Sequence, residues 1–158
     1  MTTTPEAAAH AATSFDHPDF RASYQVIATS HELRAALEDV IAPVGVSLAQ
    51  WTVLLQLLID PGRSAADIAR SSVVSQQAVS GLVTRLERDG LLTRTPHPEH
   101  GRIQQLTTTT EGERVAMDAD SAVRDLESDL RGHLGDADAE TLRQLLVRVR
   151  EFLATRRS

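Results

Sequence analysis

Apolar side chains recur along most of the chain at intervals of three and four residues, the spacing of one face of an α-helix. From about Phe20 to Ile41 they fall at Tyr24, Ile27, Leu33, Leu37, Val40 and Ile41, with His31 on the same side, and Pro43 and Gly45 stop the helix. Ser47 is placed to cap a second helix, Leu48 to Ile59, which carries Trp51, Leu54, Leu55 and Leu58 and ends in the turn signal Asp60-Pro61-Gly62. Ser64 caps a short helix through Ala69, with Asp67 in its first turns. After a brief turn, Ser75 caps another helix. Its apolar set is Val79, Leu82, Val83 and Leu86, and Asp89-Gly90 ends it with glycine just past the last turn.

The period then changes. The stretch LLTRTPHPEHGRIQQLTTT has β-type residues on both sides of a Pro/His/Gly centre. Leu92 to Thr95 and Arg102 to Thr108 are predicted as antiparallel strands joined at Pro96–Gly101. Thr108 to Glu111 has the spacing of a capping box and starts a further helix to about Arg131, broken by Gly132 to Gly135. A last helix, about Ala137 to Leu153, bears a tight stripe of Leu142, Leu145, Leu146, Val149, Phe152 and Leu153.

The expected fold is therefore mainly α with a small β-hairpin wing: a winged helix-turn-helix with N- and C-terminal dimerisation helices. Residues 47–108 form the winged lobe. Residues 19–46 and 109–158 form the helical dimerisation region, and residues 1–18 are expected to be a mobile tail. The C-terminal stripe needs a partner surface, and the first helix, with Tyr24, Ile27 and Leu37, offers one in a second copy. Packing of both within one subunit is the competing arrangement.

A short helix, a turn and a second helix make a helix-turn-helix, whose second helix lies in the DNA major groove with its N-terminal residues on base edges. Gln76 and Gln77 occupy that first turn, away from Val79, Leu82 and Leu86. Glutamine presents a donor and an acceptor together, which matches adenine N6 and N7, and a helix N-terminus attracts phosphate. Two solvated glutamines would be the ordinary reading in an isolated helix; the hairpin that follows favours DNA. In the wing, Arg102 stands at the base of the loop, where an arginine can enter a narrow minor groove, and Arg94 faces it from the first strand. A merely solvated loop is the alternative there. The candidate DNA-contacting residues are Ser64, Ser75, Gln76, Gln77, Ser80, Gly81, Thr84 and Arg85 in the two helices, with Arg94 and Arg102 in the wing.

Charge sharpens this picture. The net charge of -6 is unevenly spread: residues 62–102 hold six arginines and four acids, a net +2, and the rest of the chain holds ten arginines and eighteen acids, a net -8. There is no lysine, so every cationic contact to phosphate or base would be made by a guanidinium, which can fork onto paired acceptors. With 158 residues, one domain is the default. A 41% hydrophobic and only 3% aromatic composition favours an aliphatic helical core. The absence of cysteine rules out disulfides and thiolate sites. No apolar run reaches membrane-span length, and the N-terminus MTTTPEAAAHAATS lacks a basic region followed by an apolar core. A soluble cytoplasmic protein without membrane association is expected.

The segments LAQWTVLLQL, ADIARSSVVSQQAVSGLVTRLERDGLLTR and the wing ending in TTEG closely resemble the MarR (multiple antibiotic resistance regulator) family, over about Ser47 to Gly112. VSGLVTRLERDGLLTR is the most specific part. The resemblance implies a winged-helix homodimer on a palindromic double-stranded operator, usually a repressor released by a small, often aromatic, ligand. Three departures stand out. The family wing often reads Asp-Arg-Arg, whereas this chain has His100-Gly101-Arg102, with Glu99 next door as a substitute carboxylate. Gly81 stands where an arginine is common, and Val73 where the turn often has glycine. In the family the ligand cavity lies between the first, second and fifth helices, which makes Tyr24, His31, Arg34 and Trp51 candidate lining residues. A hydrogen-bonded interface role for His31 and a core role for Trp51 compete with that.

His97 and His100 are three apart, but a lone pair on a wing is a weak metal signal, and neither metal nor cofactor is expected. The chain has no phosphate-binding glycine loop, nucleophile elbow or His/Glu metal motif, which argues against an enzyme. A helical protein-interaction module that uses the winged helix without DNA is the alternative function, and the acidic total charge suits it.

Overall fold

The computed structural model describes residues 21–71, 75–96 and 104–156. The element order is α1 (Ala22–Ile41), a 3-10 turn (Ala42–Val44), α2 (Leu48–Ile59), α3 (Ala65–Ser71), α4 (Gln76–Arg88), β1 (Leu92–Pro96), β2 (Gln104–Thr108), α5 (Thr110–Leu134) and α6 (Asp136–Thr155). No single helix among the described residues is long and apolar enough to cross a membrane. The expected mobile tail lies outside the described residues.

The chain forms two compact units, Met1–Ala36 and Leu37–Ser158. The described part of the first is the N-terminal portion of α1, where Tyr24, Val26, Ile27 and Leu33 are exposed. The second unit holds the core. Ile41, Trp51, Val53, Leu54, Leu57, Ile68, Val79, Val83, Leu86, Leu91, Leu92, Leu106, Val115, Ala116 and Ala119 are all buried and cluster together. Val79, Val83 and Leu86 of α4 and Trp51 and Leu54 of α2 lie in this core as their spacing announces, whereas Leu55, Leu58 and Leu82 are only partly buried; α2 is apolar on most sides, and Val53 and Leu57 take the fully buried places instead. The hairpin closes the cluster with Leu92 and Leu106.

The helix ends are held by side chains. Ser47 accepts from the Gln50 amide while the Gln50 carboxamide accepts from the Ser47 amide, a complete capping box. Glu38, near the end of α1, reaches across to the Leu48 amide at 3.1 Å. Ser64 and Asp67 cap α3 reciprocally, and Ser75 caps α4 by accepting from Ala78. At the far end of α4, Gly90 (φ 74°) donates to the Glu87 carbonyl and Leu91 to the Leu86 carbonyl. This paired closure needs a left-handed residue that only glycine adopts without strain.

Several boundaries differ from the expectation: α3 continues past Ala69 to Ser71, and β1 takes in Pro96, which pairs with Gln104. The cap of α5 is Thr109, not Thr108, and its hydroxyl accepts from Gly112. Thr108 is buried and belongs to β2, paired with Leu92. Gly132 does not break α5; the helix continues to Leu134, and Gly135 (φ 81°) stops it.

Candidate nucleic-acid interface

In α4 the sequence separates two faces. Val79, Val83 and Leu86 are buried, whereas Gln76, Gln77, Ser80, Gly81, Thr84 and Arg85 are exposed. Six of the candidate DNA-contacting residues therefore share the solvent side of one helix. Within that side their states differ. The hydroxyls of Ser80 and Thr84 donate back to the Gln76 and Ser80 carbonyls, as serine and threonine often do inside helices. Among the described residues, no side-chain hydrogen bond or ion pair engages Gln76, Gln77 or Arg85, and their polar groups face water. Gly81 is open: a Cβ there would meet nothing within 4 Å.

The hairpin register sets Leu92 opposite Thr108, Arg94 opposite Leu106 and Pro96 opposite Gln104. Because strand side chains alternate, Leu92, Arg94, Leu106 and Thr108 share the inner face, while Thr93, Thr95, Gln105 and Thr107 point the other way. Arg94 follows that geometry. Its Nε donates to Glu87 at 2.7 Å and its Nη2 to the Thr84 hydroxyl at 3.2 Å, both on α4. Arg102, His97 and His100, and Val73 of the turn, lie outside the described residues.

The loop before α3 joins the two halves of the interface. The Gly62 amide donates to the Leu106 carbonyl, and the Leu106 amide donates to the Arg63 carbonyl, both at 3.0 Å, so β2 is bonded along both edges. The Arg63 guanidinium donates to the Gln56 carboxamide, the Asp67 carbonyl and the Ser71 hydroxyl, tying α2 to both ends of α3. Ser64, although a candidate contact, is engaged in capping. Its amide and hydroxyl both donate to one Asp67 oxygen, and Arg70 pairs with the other. These Ser64 bonds, more than the Arg70 and Arg63 charges, hold the Asp67 carboxyl below its usual range against the opposing effect of burial. A surface groove of about 380 Å³ runs between α3 and the wing, lined by Ser64, Asp67, Arg70, Arg94, Gln104 and Leu106.

Three arrangements escaped the sequence reasoning: the Glu87–Arg94 tie, the Arg63 hub and the packing of Gly112 on Leu91. The first carried a usable signal. Glu87 and Arg94 are seven apart across the Gly90 turn, and that turn folds the strand back along the helix. The other two join positions with no local spacing to reveal them.

A model of the MarR family matches residues 44–103. The chain belongs to the MarR family. It is 32% identical over 92 residues to the HTH-type transcriptional repressor Rv2887 of Mycobacterium tuberculosis, a match that covers 58% of this chain and 66% of that repressor's length. Its fold is similar to that of the transcriptional repressor CouR bound to a 23-mer DNA duplex, with a TM-score of 0.80 and 25% identity over 85% of this chain and 95% of the other. It is also similar to Rv2887 in complex with salicylic acid, with a TM-score of 0.66 and 25% identity over 82% and 96% of the two chains. The family and these relatives are transcriptional regulators, not enzymes.

Of the residues expected to line an effector cavity in this MarR-family chain, Tyr24, His31 and Arg34 are exposed on α1. Trp51 sits in the core of the second unit, and its indole N–H, the side chain's one donor, is given to the Ala116 carbonyl at 3.2 Å.

Proposed function

We propose that this MarR-family chain is a sequence-specific DNA-binding transcriptional repressor, acting in the cytoplasm as a homodimer on a palindromic operator. The observation that carries the proposal is the exposed face of α4. A helix held from behind by Val79, Val83 and Leu86 presents Gln76, Gln77 and Arg85 uncommitted in a helix-turn-helix followed by a wing. Gln76 and Gln77 read base edges, Arg85 supplies cationic contact, and Arg102 belongs to the wing's share. The likeness to a repressor bound to a DNA duplex supports the same use.

The surface of α6 supports two-fold symmetry. No residue of this helix is buried, yet Leu142, Leu145, Leu146, Val149, Phe152 and Leu153 line up along it. Such a stripe is an interface waiting for a second copy. A dimer places two reading helices on two half-sites about one helical turn apart. Release by a small aromatic acid is part of the proposal, supported by the likeness to a relative in complex with salicylic acid. Tyr24, His31 and Arg34 offer a ring, an imidazole and a guanidinium for such a ligand.

Sequencing genomic fragments retained by the purified protein, followed by anisotropy titrations on the enriched duplex, tests this reading. Nanomolar, steeply salt-dependent binding that prefers the enriched duplex to random DNA is expected. Binding without preference, or none, overturns it and leaves a protein-interaction module.

A further inference from the structure

We propose that Arg94 is a positioning residue: with Glu87 and Thr84 it clasps the wing to the reading helix and holds the wing at its working angle, rather than neutralising a DNA phosphate itself. The inference rests on the DNA-binding reading and revises one residue of it.

The hairpin register puts Arg94 on the face shared by the buried Leu92, Leu106 and Thr108, directed toward the body of the lobe. Its side chain is 31% exposed, against 72% for Arg70 and 69% for Arg88. Two different nitrogens are engaged, Nε by Glu87 at 2.7 Å and Nη2 by Thr84 at 3.2 Å, one helical turn apart on α4. A planar guanidinium held at two points fixes both the distance and the orientation of the strand that carries it, which a single ion pair would not do.

Glu87 strengthens the case. A carboxylate in the last turn of a reading helix opposes the helix dipole and repels phosphate. Pairing it with Arg94 removes both costs and makes the pair neutral toward DNA. The hairpin also needs such a tie, since two strands alone are marginal in water and gain their stability from what they pack against. Leu92 and Thr108 anchor the base of the wing in the core; Arg94, two residues further along β1 and opposite the buried Leu106, anchors its middle.

The test uses the full-length dimer, the enriched operator duplex and three variants: Glu87→Gln, Arg94→Gln and the double. Binding is followed by anisotropy over a salt series, and thermal melting checks that each variant is folded. If Arg94 acts as a clasp, each single variant weakens operator binding by about tenfold, and the double variant is no weaker than either single. The salt slope stays at the wild-type value, because no phosphate contact is lost. Arg94→Lys, which keeps the charge but not the two-point fork, recovers only part of the affinity. If Arg94 instead pairs with phosphate, Arg94→Gln lowers the slope by roughly two units for a dimer, and Glu87→Gln strengthens binding by freeing the cation. Either of those results overturns the clasp and leaves the DNA reading intact. Failure of the wild type to bind the duplex overturns both.

Discussion

A Cβ placed on Gly112 would lie 1.8 Å from the carbonyl oxygen of Leu91. The first turn of α5 is thus pressed against the backbone that leaves the reading helix, and only hydrogen fits between. The Thr109 hydroxyl donates to the Gly90 carbonyl and the Thr109 amide to the Leu91 carbonyl, so three consecutive contacts seal this joint. This gives the TTEG motif a physical meaning: a cap, and a glycine set where two backbones meet.

Gly112→Ala must therefore push α5 off Leu91 and break those bonds. We expect a loss on the order of 3 kcal/mol, or roughly 6–10 °C in melting temperature, by urea and thermal unfolding. A loss under about 0.5 kcal/mol would show that the joint relaxes freely.

Gly81 is the opposite case. It lies in the interior of α4 with open space where a Cβ would go. Gly81→Ala should stabilise the protein by about 1 kcal/mol through helix propensity alone. If operator affinity falls while stability rises, the DNA backbone runs close to this position. Unchanged affinity would show that the missing side chain is not needed for close approach.

The buried face of α4 is legible in the sequence because a helix records its environment every three to four residues; α2, apolar on most sides, does not record which of Val53, Leu55, Leu57 and Leu58 enter the core. What was not legible turned on choices between equivalent neighbours. Thr107, Thr108, Thr109 and Thr110 offer four identical cap candidates, and the pairing of Thr108 with Leu92 decides among them. Gly132 and Gly135 offer two helix stops. The first sits in the helix at a modest propensity cost, because capping bonds form around the second instead. The sequence places Arg94 in the wing, but its direction depends on strand register, which the Pro/His/Gly loop does not fix.

The exposed glutamines of α4 should carry base specificity. Gln76→Ala and Gln77→Ala are each expected to weaken operator binding by about 1–3 kcal/mol and random-duplex binding far less. Competition titrations with both duplexes measure the difference. Equal losses on the two would reduce the pair to backbone contact.

The apolar stripe of α6 predicts a defined response to charge. Leu146 is 41% exposed in one copy and lies between Leu142 and Val149 on the same face. In the proposed dimer, Leu146→Glu buries an unpaired carboxylate, which should raise the dimer dissociation constant at least about 100-fold, or roughly 3 kcal/mol. Light scattering should show a monomer at micromolar concentration, and operator affinity should collapse with it. A variant that remains dimeric with full affinity would move the seam elsewhere.

Acid stability should report the Ser64–Asp67 cap. The Asp67 carboxyl titrates below its ordinary value near 3.8 because Ser64 donates two hydrogen bonds to its ionised form. A carboxyl whose folded pKa lies below its unfolded pKa stabilises the fold at all pH above the unfolded value, and the contribution is lost as pH falls through the folded value. Glu140, held down to about 2 by Arg143 and Gln144, acts in the same direction. Asp67→Asn should cost about 0.5–1 kcal/mol at neutral pH, a modest figure because this carboxylate in the first turn of α3 is 40% exposed and screened by water. The gap between wild type and variant should stay constant from pH 7 down to about 5 and narrow below 4, as the wild-type carboxyl takes up its proton. Urea unfolding at each pH measures this gap. A gap that stays constant down to pH 2 would mean that the substitution removes packing rather than charge, and the cap would then owe nothing to ionisation.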